Sequence, residues 1–207
     1  MIKHSIRFTL VTLCVCWILA GCNNNNSNSG SERNFQSLKL FPQGKAFSGF
    51  QLTSHLGETW DSESFKGTYS VLFFGYSNCP DICPTTLLDM QKIDKKLQDQ
   101  NVSSPRFVFV SVDPDRDTPE VLHEYINFFN PEFYALSGDA ANILSLASQL
   151  GVAYKVADHQ PGDLLYDVDH AASLFILNPQ GERIGLFTAP HDLELITQDL
   201  ATLMEST

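Results

Sequence analysis

Two cysteines stand four positions apart in the run Gly75-Tyr76-Ser77-Asn78-Cys79-Pro80-Asp81-Ile82-Cys83-Pro84. Thiolates at this spacing can hold a soft metal ion, or they can cycle between dithiol and disulfide. An inert disulfide is the third possibility, and the pair alone does not decide among them. Pro84 opens a helical pattern, which predicts Cys83 at or beside a helix N-terminus. The dipole and free amides there favour a thiolate and lower a thiol pKa from about 8.5. If the second half of the loop is already helical, the two sulfurs lie about one turn apart, near enough to chelate.

A second candidate is Asp169-His170, directly before the apolar run Ala172 to Leu177. In a thioredoxin-like sheet the loop before this strand faces the cysteine loop. Two thiolates plus one imidazole suit copper: thiolates select the cuprous ion, and imidazole accommodates both oxidation states. His4, His55, His123, His159 and His191 lack such placement and read as leader, loop or helix-surface residues. A third candidate is the acidic loop Asp113-Pro114-Asp115-Arg116-Asp117 at the end of a neighbouring strand. It can serve as a docking rim, or bring Asp113 to the site by a hydrogen bond. It can also be ordinary helix-start chemistry with an Asp–Arg pair.

Whether the cysteine pair is a site or a scaffold depends on where the chain goes. Lys3 and Arg7 precede a short apolar stretch, Phe8 to Ile18, which reads as the core of a signal peptide rather than a membrane span. Leu19-Ala20-Gly21-Cys22 resembles a bacterial lipoprotein cleavage box, which implies removal of residues 1–21 and lipid on Cys22. Cys14 and Cys16 then leave with the signal, so only Cys79 and Cys83 remain in the folded part. One close pair in an exported protein is a candidate site, not a disulfide framework. Of 13 basic residues, Lys3 and Arg7 lie in the leader, leaving 11 against 24 acidic ones, a net of −13. Such a charge argues against nucleic acid or anionic lipid as a partner; it suits a basic protein surface or a cation, and equally serves solubility alone.

Asn23 to Ser31 is almost wholly Asn, Ser and Gly, so 22–43 reads as a tether from the lipidated cysteine and 44–207 as one domain. Phe47 to Leu52 has strand character and Thr59-Trp60 returns as a partner, giving an N-terminal hairpin. Ser70 to Gly75 is a continuous apolar run, predicted as a strand buried on both faces. Leu87, Leu88, Met90, Ile93 and Leu97 recur at helical spacing from Thr85 onward. Strands are predicted at Arg106 to Val112, Phe133 to Leu136, Val152 to Val156, Ala172 to Leu177 and Ile184 to Phe187. Helices are predicted from Thr118-Pro119 to Phe128, from Ala140 to Leu150 before Gly151, and from Asp192 to Leu203. The order is that of an α/β protein with a central mixed sheet, its cysteine pair at the carboxyl end of a strand.

Three segments together carry a resemblance to a known family. Gly75 to Thr86 resembles the cysteine motif of the Sco (SenC) copper-chaperone family. Ser111-Val112-Asp113-Pro114-Asp115-Arg116-Asp117-Thr118-Pro119 resembles its second signature, and Tyr166-Asp167-Val168-Asp169-His170 its third. The similarity spans Phe47 to Leu200, in family order. It implies a thioredoxin-like fold, membrane attachment facing outside the cytoplasm, and copper (Cu+ or Cu2+) held by Cys79, Cys83 and His170. It also implies service to the binuclear copper site of cytochrome c oxidase subunit II, or another copper acceptor.

The sequence therefore reads as a lipid-anchored copper chaperone of the cell envelope, facing the periplasm or exterior, with the cytoplasmic membrane favoured over the outer one. No catalysis in the enzyme sense is required. The first rival is a thiol-disulfide oxidoreductase that reduces the acceptor's cysteines. Against it, thioredoxins have two residues between their cysteines and a cis-proline facing them, whereas this chain has three and no proline between Asp163 and Asn178. A peroxidase lacks its usual Thr-x-x-Cys placement here, and a copper or redox sensor remains the last alternative.

Overall fold

A run as apolar as Val71-Leu72-Phe73-Phe74 must be covered on both faces, and the structure covers it. The computed structural model describes residues 34–160 and 162–205. Its strands are β1 Lys39–Ala46, β2 Leu52–Ser54, β3 Thr59–Trp60, β4 Ser70–Gly75, β5 Arg106–Ser111, β6 Tyr134–Ser137, β7 Tyr154–Val156, β8 Val168–His170, β9 Leu174–Leu177 and β10 Glu182–Phe187. Its helices are α1 Ile82–Asp99, α2 Pro119–Phe129, α3 Ala140–Leu150 and α4 Leu193–Met204. Every residue of β4 is buried.

Eight strands form one sheet in the order β1-β10-β9-β4-β5-β6-β2-β3, and β7 and β8 form a separate pair. Strands β4, β5 and β6 run parallel, while β9 meets β4 antiparallel. This is the expected mixed sheet flanked by helices, and the fold is thioredoxin-like. The parallel pairs require crossovers, which α1 and α2 supply. Helix α1 turns Cys83, Thr86, Leu87, Met90, Ile93, Asp94 and Leu97 inward, the three-and-four spacing of a core-facing stripe.

Helix ends follow their local chemistry. Thr118 accepts a hydrogen bond from the N–H of Val121, with Pro119 at the first helical position. Asp139 and Asp192 cap α3 and α4 in the same way. Gly151 ends α3 at φ 78°, in the left-handed region that glycine adopts without strain.

Two departures from the sequence expectations involve the N-terminal part. The hairpin is present, with Leu52 opposite Trp60, but its first strand starts at Leu52 and not at Phe47. Phe47 and Phe50 instead turn their rings onto Phe65 in the core. The ordered chain also begins before residue 44, because Lys39–Ala46 forms the edge strand against β10. Exposed side chains dominate β1, so hydrophobic patterning carried no signal for it. The expected signal peptide, residues 1–21, and Cys22 lie outside the described residues. Asn34–Thr207 forms one compact unit that contains both sheets and the whole described core.

The entry of the chain into this unit is held by one carboxylate. Asp199 is 3% exposed and accepts the main-chain N–H groups of Gln36 at 3.0 Å, Ser37 at 2.7 Å and Leu38 at 2.8 Å. Asp199→Ala strands the buried Leu38 donor, at about 1–3 kcal/mol, and leaves the part-buried Gln36 and Ser37 donors to find water. The expected outcome is a loss of roughly 2–4 kcal/mol in urea unfolding. Hydrogen exchange at residues 36–38 should speed up more than in β4.

Candidate metal centre

Strand β4 ends at Gly75, the chain turns through Tyr76 to Asp81, and α1 starts at Ile82. The turn directs main-chain N–H groups at both sulfurs. Tyr76 N donates to Cys83 Sγ at 3.4 Å, and Cys83 N donates to Cys79 Sγ at 3.4 Å. Both cysteines are free thiols; Cys83 is fully buried and Cys79 is 8% exposed. Gly75 makes this approach possible, because a Cβ there would stand 2.5 Å from Cys83 Sγ and 2.9 Å from the Phe109 ring.

The helix begins two residues before Pro84, so Cys83 lies inside its first turn and not at its cap. Proline is tolerated there because the first amides of a helix have no intrahelical acceptor. This changes the thiol chemistry expected from sequence. Burial pushes the Cys83 thiol well above its ordinary range, and the Tyr76 N–H opposes that shift without outweighing it.

His170 arrives on β8, whose alternation turns Val168 inward, Asp169 to solvent and His170 back toward the cysteines. Its Nε2 lies 3.2 Å from Cys83 Sγ. The ring stands edge-on to Phe73 and Tyr76, with centroids 5.9 Å and 5.7 Å away. Burial lowers its pKa below the usual 6.5, leaving the neutral imidazole that serves as a ligand. Nδ1 is buried without a hydrogen-bond partner, and the exposed Asp169 does not supply one.

The donor atoms of Cys79, Cys83 and His170 all lie within 4.8 Å of one another. Two sulfurs on one ion at about 2.3 Å each stand at most about 4.6 Å apart, so the set needs little closure to converge. Two soft sulfurs and an imidazole suit copper or zinc better than a hard cation. A cleft of about 370 Å³, lined by Ala153, Tyr154, Lys155, Asp169, His170 and Ala171, opens beside the imidazole.

The acidic loop after β5 supports this arrangement from behind. Asp117 is 1% exposed and accepts from Ser77 N at 3.0 Å, from Ser77 Oγ and from Ser111 Oγ, which ties the cysteine loop to β5. Arg116 pairs with the buried Asp113 and spreads its guanidinium 3.5 Å from the Tyr166 ring centroid. The same group stands 5.3 Å from the Tyr76 ring centroid. Arg116 Nη1 donates to the carbonyls of Leu164 and Tyr166, at 3.1 Å each, and Tyr166 Oη donates to Asp113. His159 stacks on Tyr166 at 3.8 Å, with Nε2 2.9 Å from Asp115.

The Asp–Arg pair expected from sequence is therefore present and also reaches both ligand segments. The roles of Tyr76, Tyr166 and His159 were not legible; the one hint was a tyrosine within each ligand segment. His55 is a correction. Read as a loop residue, it is 7% exposed, and its Nδ1 accepts from Ala135 N because the short strand β2 carries it against β6. His191 is likewise nearly buried, 3.8 Å from Asp89. Neither joins the sulfur pair, and His4 lies outside the described residues.

The chain matches the family model described as SCO1/SenC over residues 42–205. A SCO2-like protein of Rickettsia prowazekii is 37% identical over 138 residues, covering 67% of each chain. The copper-bound ScoI structure from Bradyrhizobium japonicum is 34% identical, with a TM-score of 0.64 over 75% of this chain and 98% of that one. The copper-bound ScoI structure from Arabidopsis thaliana is 29% identical, with a TM-score of 0.71 over 78% of this chain and all of that one.

Two outcomes test this geometry. Gly75→Ala must displace Cys83 Sγ or the Phe109 ring, and overpacking of this kind costs about 1–3 kcal/mol. Thermal unfolding should register that loss, and labelling of Cys83 in the folded protein should accelerate. The second concerns pH. The Ala157 carbonyl, and after it Asp115, hold the His159 pKa above the usual 6.5. A raised pKa stabilises the protonated form, so this contribution is complete below 6.5 and is lost as pH rises through the raised value. NMR titration should give a His159 midpoint above 6.5, brought down in Asp115→Asn; a wild-type midpoint at or below 6.5 contradicts the pairing.

Proposed function

This chain belongs to the SCO1/SenC family, and from that premise we propose that it is a membrane-anchored copper chaperone. It binds one copper ion through Cys79, Cys83 and His170 and delivers it to the binuclear copper site of cytochrome c oxidase subunit II. The observation that carries this reading is the convergence of two sulfurs and a neutral imidazole within 4.8 Å. The leader 1–21 directs export, and Cys22 carries the lipid. The domain then works at the outer face of the cytoplasmic membrane, toward the periplasm or exterior.

Copper is the cargo, and it moves by ligand exchange. Cys79 stands on a loop and keeps some exposure, whereas Cys83 is sealed inside the first turn of α1. An incoming thiolate of the acceptor therefore meets Cys79 first, while Cys83 and His170 retain the ion. The cation's charge offsets the burial that keeps a metal-free Cys83 protonated.

The test is complementation of oxidase assembly at matched protein levels, beside copper affinity in each oxidation state. Cys79→Ser and Cys83→Ser should lose both ions by more than the roughly 10- to 100-fold that loss of an outer partner costs a metal site. His170→Ala should lose cupric copper mainly, since two thiolates can hold the cuprous ion alone. Cys22→Ala should keep its copper affinity and fail to complement. X-ray absorption of the loaded protein should show sulfur near ~2.3 Å. Full assembly by a His170→Ala protein that no longer holds cupric copper would overturn a cupric relay, and absence of sulfur scatterers would overturn the site.

A further inference from the structure

The loop between β7 and β8 ends in a feature that the metal site does not use. Leu165 is 96% exposed and its neighbour Leu164 is 70% exposed. Water-exposed leucines usually sit singly and on mobile tips, where they carry no meaning. These two are adjacent, and their backbone is fastened. Arg116 Nη1 holds the carbonyls on either side of Leu165, and Arg116 is itself held by buried Asp113. The two side chains therefore project from a fixed main chain, which lowers the ordering cost of burying them in a partner.

The charge around them is mostly negative, with Lys155 opposite Asp169 in the β7–β8 ladder and His159 against Asp115. Asp115, Asp158, Asp163, Asp167 and Asp169 are all exposed, and no Lys or Arg occurs between Lys155 and Arg183. Arg116 is neutralised within the fold. Two residues beyond Tyr166, the same loop passes into β8 and delivers His170 to the cysteines.

We propose that Leu164 and Leu165, framed by these carboxylates, are the docking surface for the copper acceptor. The partner is a folded protein domain whose own copper site lies beside an apolar recess rimmed with Lys and Arg. This rests on the chaperone reading above and adds where the acceptor lands. Charge complementarity selects the occupant. An anionic bilayer is repelled by five carboxylates, whereas a basic rim is steered in and set in register by them. The apolar pair then supplies the contact that holds the complex while copper changes ligands.

The experiment uses the unit Asn34–Thr207 loaded with cuprous copper, and the reduced, copper-free domain of cytochrome c oxidase subunit II as the probe. Complex affinity and transfer rate are measured at low and high salt, for wild type, Leu164→Ser/Leu165→Ser and Asp163→Asn/Asp167→Asn. Both leucines are exposed, so copper affinity and thermal stability should stay at wild-type values in their variant. Its complex affinity should fall about ten- to hundredfold, in line with two leucine side chains left unburied. The aspartate variant should bind more weakly at low salt and lose most of the salt dependence. Wild-type transfer by the leucine variant would overturn the docking surface and leave the chaperone reading intact. A wild-type unit that binds no copper would overturn that reading, and this proposal with it. A unit that holds copper but never associates with the probe would overturn the docking assignment. Binding to phosphatidylcholine vesicles that disappears in the leucine variant would overturn it too, in favour of a lipid surface.

Discussion

One buried guanidinium joins what the chain order keeps apart. Arg116 has only 6% of its side chain exposed, yet it reaches the cysteine segment through Tyr76 and the histidine segment through Tyr166. Taking such a charge out of water costs several kcal/mol, and the attraction of Asp113 repays this only with good geometry and further hydrogen bonds. Two loop carbonyls and two aromatic faces supply them, although Nη2 stays without a partner. The arrangement is one-sided in its consequences: removing either member of a buried pair leaves the other charge uncompensated, at roughly 3–5 kcal/mol. The distance between a donor on β8 and the sulfurs after β4 thus depends on an ion pair from a third loop.

Within that frame, sulfur chemistry is set by exclusion of water more than by the helix. At Cys83 the Tyr76 N–H favours the thiolate, and desolvation outweighs it. The absence of a side chain at Gly75 is what allows so complete a burial. The outcome is a water-excluded sulfur 3.2 Å from the imidazole Nε2 of His170.

Much of this was legible in the sequence because it rests on local rules. The buried run of β4, the stripe of α1, the Thr118-Pro119 start of α2 and the Gly151 stop of α3 are each encoded within a few residues. So were Cys79, Cys83 and His170, through their types and their places beside strands. What was not legible depends on contacts across the chain. Edge strand β1 has exposed side chains and is defined by its pairing with β10. The stack of His159, Tyr166, Arg116 and Tyr76 draws on segments 40 to 50 positions apart, whose neighbourhood only the folded sheet creates.

The grip of Asp199 on residues 36–38 has a mechanical consequence. A force drawn along the chain from its N-terminal side meets three N–H bonds to one carboxylate and then the β1–β10 ladder. Pulled along the strand axis, antiparallel ladder bonds share the load together instead of parting one by one. The stress passes into β10 and α4, whereas the donor side chains stand on β8 and on the β4–α1 junction. The load thus enters at one edge of the sheet, with β10 and β9 standing between that edge and β4.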